Sequence, residues 1–173
     1  MLLLSLVDSA SGWREAAPGR VLIPELRKRL PGLTAVEVSD RTTASELDLL
    51  RAMAKGVDAV VAATFTRGSD PNGKLGLSPG QLSLLEALAR DESRRPFVAI
   101  VLGSPYVGAL GAKLPAILVT YEIGDAPEAA AVRALCGEAA IGGRLPVSLP
   151  GLFPAGHGLD RAANVPGGPI AGK

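Results

Sequence analysis

The chain has 173 residues, enough for one domain that buries roughly 70% of the surface of its unfolded form. It is 47% hydrophobic and 20% charged, which is typical of a globular protein and excludes a disordered chain. A net charge of +1 and only six aromatic residues do not support nucleic-acid binding, and the single cysteine, Cys136, excludes an intrachain disulfide framework or a cysteine zinc cluster.

The first element of the chain is an apolar run from Met1 to Val7. It is too short for a membrane-spanning helix, which needs about 20 residues, and it lacks the basic start of a signal peptide. We therefore predict a buried strand here and no membrane segment. The sequence contains no targeting signal, so the compartment stays open.

Apolar runs of strand length then alternate with segments of helical periodicity. Beyond the first strand we predict strands at 34–38, 58–64, 96–102 and 116–120, and helices at 24–30, at 44–55, after Ser78 and after Asp125. Three of the helices begin with a capping-box pattern, in which a polar acceptor is followed three residues later by Glu or Gln. The pairs are Thr43 with Glu46, Ser78 with Gln81, and Asp125 with Glu128, and Gly137 is placed to end the last helix.

Strands that alternate with helices at this spacing predict βαβ units and an α/β fold. We expect a three-layer α/β/α sandwich, flavodoxin-like, with a mostly parallel sheet of five strands. A further edge strand is predicted at 144–150, where Leu145, Val147 and Leu149 alternate and two prolines remove backbone donors. Residues 1–160 would form this domain, and the segment 161–173, rich in Ala, Gly and Pro, a loosely packed tail.

Functional residues of open parallel sheets concentrate in the loops beyond the carboxyl ends of the strands. The first such loop lacks Gly-x-Gly-x-x-Gly, and residues 68–74 lack the Gly-Lys-Ser/Thr ending of a Walker loop. The single histidine argues against a histidine-based metal site, so we predict no cofactor and no metal. Gly103-Ser104-Pro105 lacks the second glycine of a hydrolase nucleophile elbow, which favours a turn serine over a catalytic pair of Ser104 and His157.

No residue is predicted to be catalytic, and six loop residues remain as candidate contacts to a sugar or to a neighbouring domain. Asp70 and Glu122 are loop carboxylates without an evident local role, although a solvated carboxylate is the alternative interpretation. For the others, surface packing or a local hydrogen bond is the alternative. The candidates are Arg67, Asp70, Ser104, Tyr106, Glu122 and His157.

Three segments, in the same order along the chain, resemble elements of the C-terminal domain of family 3 glycoside hydrolases. Together they cover roughly residues 57–158. One of them, Gly103-Ser-Pro-Tyr106, is best known in the N-acetylhexosaminidase branch of that family. The segments are Leu77-Ser-Pro-Gly-Gln81 before a leucine-rich helix, Gly103-Ser-Pro-Tyr106 after a buried strand, and Gly137-Glu138 followed by Gly143-Arg-Leu-Pro-Val147.

The resemblance implies a function for the chain as part of a larger enzyme. In this family the catalytic aspartate belongs to an N-terminal (β/α)8 barrel, for which this sequence has no counterpart. In the β-glucosidase branch an acid/base glutamate comes from the loop that matches residues 65–74, which here contains Asp70 and no glutamate, so the role is not transferred. The N-acetylhexosaminidase branch takes its acid/base from an Asp–His pair on a barrel loop and fits this sequence better.

The resulting expectation is a non-catalytic C-terminal domain that supports a barrel in cis or in trans. The parent enzyme would be a retaining hydrolase of terminal N-acetylglucosamine or a related sugar, without a metal. Two other classes of function stay open. A standalone binding or assembly module of the same fold would dock on a partner or form a homodimer through an apolar face. A small-molecule-binding or hydrolytic domain would use Ser104.

Overall fold

A computed structural model describes residues 1–7, 17–66, 76–90, 95–106 and 114–164. Within these ranges there are five strands and four helices, as predicted, and the boundaries differ from the predicted ones by two residues or fewer. The strands are β1 Leu2–Val7, β2 Thr34–Val38, β3 Val60–Thr66, β4 Phe97–Gly103 and β5 Ile117–Val119. The helices are α1 Leu22–Arg29, α2 Ala44–Lys55, α3 Pro79–Ala89 and α4 Asp125–Leu135.

The five strands form one sheet in the order β2-β1-β3-β4-β5, and every pair is parallel. All residues of β1 and β3 are buried, because central strands of a parallel sheet are covered on both faces. The edge strand β5 is only partly buried along its three residues. The predicted α/β class and its parallel five-stranded sheet are therefore confirmed.

Side chains on the two faces of the sheet build two separate cores. On one face, Leu2, Leu4 and Leu6 pack with the buried residues of α2 and α3. On the other face, Leu3 and Val7 pack with α1 and α4. Successive side chains of a strand point to opposite faces, so one strand supplies both cores. The result is the expected three-layer α/β/α sandwich.

Two of the three predicted capping boxes are present. In α2, Glu46 N donates to Thr43 Oγ1 at 3.4 Å and Thr43 N donates to Glu46 Oε2 at 2.7 Å. The same reciprocal pattern joins Ser78 and Gln81 at the start of α3, with Pro79 as the first helical residue.

The capping box predicted for Asp125 and Glu128 is wrong. The residue at the N-cap is Gly124, which has no side chain, and Asp125 is already inside α4. The Asp125 carboxylate instead accepts two hydrogen bonds from the Arg20 guanidinium, at 2.5 and 2.6 Å. The carboxylate of Glu128 turns inward and binds the start of α1. The end of α4 is as predicted, since Gly137 follows it with φ +74°.

The edge strand predicted at 144–150 does not join the sheet. Leu149 pairs with Phe153 in an isolated antiparallel bridge, and Leu145 exchanges backbone bonds with His157 and Gly156. The physical reason lies in the two prolines of the segment, which have no N–H to donate to a neighbouring strand. Two of the remaining donors, Leu145 N and Leu149 N, donate to His157 O and Phe153 O just beyond the segment.

The chain stays attached to the domain a few residues beyond the predicted domain boundary. Arg161 pairs with Ile141 in an antiparallel bridge, and Asn164 N donates to Gly137 O at 2.7 Å. The Asn164 side chain also lies where a Cβ on Gly137 would be. Residues 165–173 lie outside the described ranges. The division into a domain and a tail stays a prediction.

Candidate functional site

The candidate site lies at the edge of the sheet where the parallel strands end. Because all five strands run in the same direction, their carboxyl ends meet at this edge. Its described part contains the residues that end or follow β3, β4 and β5, which are Thr66, Gly103–Tyr106 and Thr120–Gly124. The predicted candidates Arg67 and Asp70 lie outside the described residues, so their role stays a prediction.

Ser104 is held by a close backbone contact between β4 and β3. Its N–H donates to Thr66 O at 3.2 Å, at the point where the ladder between the two strands ends. Gly103 makes this approach feasible, since its φ is +97° and a Cβ there would collide with Thr66 O. The hydroxyl of Thr66 is buried with no hydrogen-bond partner. Ser104 is therefore a partly buried turn residue whose backbone is fixed.

Two tyrosines follow the neighbouring strands β4 and β5. Tyr106 is 40% exposed and Tyr121 is 41% exposed. Tyr121 has φ +63°, a left-handed conformation that is uncommon outside glycine, and desolvation raises the pKa of its hydroxyl. Thr120 Oγ1 donates to Glu122 O at 3.0 Å and closes this turn, which leaves the Glu122 side chain exposed. Both rings are therefore partly exposed near the carboxyl edge of the sheet.

The sixth candidate, His157, belongs to the segment that follows α4. Its ring stacks on Phe153 with the centroids 4.2 Å apart and the planes at 11°. Its carbonyl accepts from Leu145 N at 2.8 Å. No hydrogen bond joins the side chains of Ser104 and His157, both of which are among the described residues. The histidine is thus part of local packing.

Two buried polar side chains, Gln81 and Glu128, join helices to other elements of the fold. The sequence did not predict these contacts. Gln81 Nε2 donates to Val7 O at 2.9 Å and to Val38 O at 2.7 Å, at the carboxyl ends of β1 and β2. Glu128 is 2% exposed and accepts three backbone hydrogen bonds at the start of α1. The available signal was periodicity, because each lies three or four residues before apolar core residues of its own helix.

Many of the carboxylates in the described ranges have structural partners. Arg29 binds both Glu25 and Glu138, and Arg144 binds Asp160. Their cationic partners hold the pKa values of these three carboxyls below the ordinary range, with Lys28 as the largest contributor at Glu25. In the part of the chain that the structure describes, no group of three or more His, Cys, Asp or Glu side chains could hold a metal ion.

Two further observations concern Cys136 and the helices of the described ranges. Cys136 packs against the core between the sheet and the helices α1 and α4, and burial raises the pKa of its thiol. Among the helices of the described ranges, none is long and apolar enough to cross a membrane. These observations define a three-layer α/β domain with a parallel sheet. Tyr106 and Tyr121 lie just beyond the carboxyl ends of its strands β4 and β5.

Comparison with solved structures finds this fold within glycoside hydrolases of family 3. A fungal multi-domain GH3 β-N-acetylglucosaminidase with a GCN5-related glucosamine N-acetyltransferase region matches 88% of this chain at 24% identity and a TM-score of 0.67. A GH3 β-N-acetylglucosaminidase from Paenibacillus sp. str. FPU-7 matches 81% at 17% identity and 0.62. The GH3 exo-β-xylosidase XlnD matches 88% at 16% identity and 0.53.

These matches concern the fold, since all the identities are below 25%. The chain spans only 16%, 26% and 22% of the lengths of the three enzymes, so it resembles one domain of each. Comparison with protein-family models and with curated proteins finds no match.

Proposed function

We propose that this chain is the non-catalytic C-terminal domain of a β-N-acetylhexosaminidase-like enzyme of glycoside hydrolase family 3. In this proposal it packs against a (β/α)8 barrel that carries the catalytic residues. The observation that carries the proposal is the structural match of 88% and 81% of this chain to a small share, 16% and 26%, of two β-N-acetylglucosaminidase chains. The three sequence segments that resemble this family support it independently.

The positions of these segments in the fold suggest where the barrel would bind. Gln81 fastens α3 to the ends of β1 and β2, and Gly103–Tyr106 forms the exit from β4. Both therefore lie at the carboxyl edge of the sheet. We place the contact with the barrel at this edge, where Tyr106 and Tyr121 offer apolar surface.

Several carboxylates already bind other groups of the domain, which favours a supporting role over a catalytic one. Glycoside hydrolysis requires two positioned groups, generally carboxylates, about 5–10 Å apart across a sugar-binding cleft. Glu46 and Glu128 bind helix starts, and Glu138 binds Arg29. A carboxylate that already stabilises the fold is poorly suited to exchange protons with a sugar. In the parent enzyme, the proposed domain would hold barrel loops and border the cleft.

The test is hydrolysis of an aryl N-acetyl-β-glucosaminide, after the reading frame and gene neighbourhood of the chain have been determined. The purified chain should give no turnover. The barrel encoded in the same frame or beside it should hydrolyse the substrate when this chain is present and lose activity when it is left out. Turnover by the purified chain alone would contradict the proposal. If the purified chain does show turnover, the Ser104→Ala variant tests the alternative that the domain is a hydrolase that uses Ser104. That alternative requires the variant to lose the turnover.

The second candidate is a binding or assembly module that functions without a barrel. The observation that favours it is on the outer face of α2, where Leu49 is 61% exposed and Met53 is 36% exposed one turn further on. Exposed apolar residues that are neighbours on a helix mark a docking surface more often than single ones do. This module would form a homodimer or bind a partner through α2.

A further inference from the structure

The backbone at the start of α1 forms a cradle for a carboxylate, and the chain fills it with a side chain of its own. We define the Gly19 cradle as the backbone N–H groups of Gly19, Val21 and Leu22. Gly19 N donates to Glu128 Oε1 at 3.0 Å, while Val21 N and Leu22 N both donate to Glu128 Oε2 at 2.8 Å. Three donors thus converge on the two oxygens of one carboxylate.

The carboxylate of Glu128 lies close to the starts of two helices. Glu128 lies in the first part of α4, and its oxygens reach the start of α1. The positive ends of two helix dipoles therefore point toward one buried group. Arg20 lies between the donors in the chain and is held by Asp125 from the same turn of α4. The carboxylate is 2% exposed, so water screens this attraction weakly.

A buried hydroxyl borders the same cradle. Ser5 is 2% exposed, and its Oγ has no hydrogen-bond partner. A Cβ placed on Gly19 would lie 3.7 Å from that oxygen and 3.0 Å from Ile23 Cδ1. Gly19 also has φ +78°, a conformation that favours glycine. Beside Gly19 there is therefore a second buried polar group, the Ser5 hydroxyl, which has no hydrogen-bond partner of its own.

We propose that the Gly19 cradle is a carboxylate-binding site whose built-in occupant is Glu128, and that truncation of this side chain turns it into a site for a small external carboxylate such as formate or acetate. The inference goes beyond the proposed function and does not depend on it. Parallel α/β folds commonly bind anionic groups at such helix starts. Here the internal carboxylate excludes an external anion from that position.

The test uses the full chain with Glu128→Ala and measures unfolding in formate and in chloride at equal ionic strength. The variant should be less stable than the native chain in chloride. At a formate concentration ten times its Kd, the folded-to-unfolded ratio of the variant should rise about elevenfold. Amide NMR signals of Gly19, Val21 and Leu22 should shift together with formate. Native protein should show none of these formate-specific responses.

Two control variants make the result specific. Glu128→Gln keeps the side chain in the cradle, so it should be destabilised without gaining a response to formate. Glu138→Ala removes an exposed carboxylate beyond the other end of α4 and should show no formate response. In the Glu128→Ala background, Ser5→Ala should weaken formate binding, because it removes the buried, unpartnered hydroxyl beside Gly19.

Each remaining outcome supports or contradicts the inference. If Glu128→Ala is unfolded in chloride, recovery of the folded state by formate supports the cradle, and no recovery contradicts it. Equal effects of formate and chloride on the variant would also contradict it. A stronger response to inorganic phosphate than to formate would overturn the assignment to carboxylates. Failure of the barrel experiment leaves this result unchanged, because no sugar or barrel is involved.

Discussion

The side-chain amide of Gln81 donates a hydrogen bond of 2.7 Å to the carbonyl of Val38, at the end of the edge strand β2. The same nitrogen donates to Val7 O at 2.9 Å, and the side-chain oxygen accepts from Ser78 N at 2.8 Å. One buried side chain therefore caps α3 and joins it to two strands. Val7 and Val38 are the last residues of β1 and β2, and buried carbonyls at strand ends are generally paired with a donor.

Replacement of Gln81 by Leu should destabilise the domain by about 2–4 kcal/mol, because buried backbone groups lose their hydrogen-bond partners while the volume is retained. Urea unfolding followed by circular dichroism measures this difference. Glu86→Gln, an exposed change on the same helix, should leave the free energy of unfolding nearly unchanged. Equal stability of Gln81→Leu and the native chain would show that water replaces the amide at these carbonyls.

Gly103→Ala should destabilise the domain by at least about 2 kcal/mol, since the new Cβ would adopt a left-handed backbone and collide with Thr66 O. The matched control is Gly143→Ala, where nothing lies within 4 Å of the added Cβ and the change should stay within about 0.5 kcal/mol. Thermal unfolding of both variants provides the comparison. Similar midpoints for the two would mean that β3 and β4 separate easily at their ends.

Acid should weaken the link between α1 and the segment after α4. Arg29 lowers the pKa of Glu138, and Lys28 and Arg29 lower that of Glu25, from an ordinary value of 4.5. A carboxyl group with a lowered folded-state pKa contributes stability above its unfolded-state pKa and loses it as the pH falls through the folded-state pKa. The contribution should therefore be complete above about pH 4.5 and decline below it.

Urea titrations of the native chain and of Glu138→Gln at several pH values measure this effect. The difference in free energy of unfolding between the two should be largest near neutral pH and shrink below about pH 4.5. High salt should reduce the difference, because the pair is partly exposed. A difference that grows as the pH falls would refute the assignment.

If α2 carries a docking surface, the chain should self-associate through Leu49 and Met53. Sedimentation velocity over a range of concentrations should show a dimer that Leu49→Glu with Met53→Glu dissociates, because two charges cannot be buried in an apolar contact. Leu159→Glu is the control, since Leu159 is 79% exposed but lies outside α2. A monomer at all concentrations would argue against the homodimer.

The sequence by itself determined the strands, most of the helix boundaries and the class of the fold. Apolar runs such as Val60–Val61 and helical spacing such as Leu85 with Leu88 depend on near neighbours in the chain. The capping boxes of α2 and α3 are equally local, because donor and acceptor are three residues apart. Local patterns of this kind fix local structure, and the alternation of strands and helices then restricts the topology.

Only the tertiary structure decided the partners of the buried polar groups and the path of the last segment. Glu128 has the sequence position of a capping-box residue, yet it binds Gly19, which is 109 residues away. Leu145, Val147 and Leu149 alternate like a strand, yet the missing donors of Pro146 and Pro150 turn the segment onto itself. In both cases the hydrogen-bond partner is distant in sequence or lies within a turn. Which partner a buried polar group finds depends on how the helices pack onto the sheet.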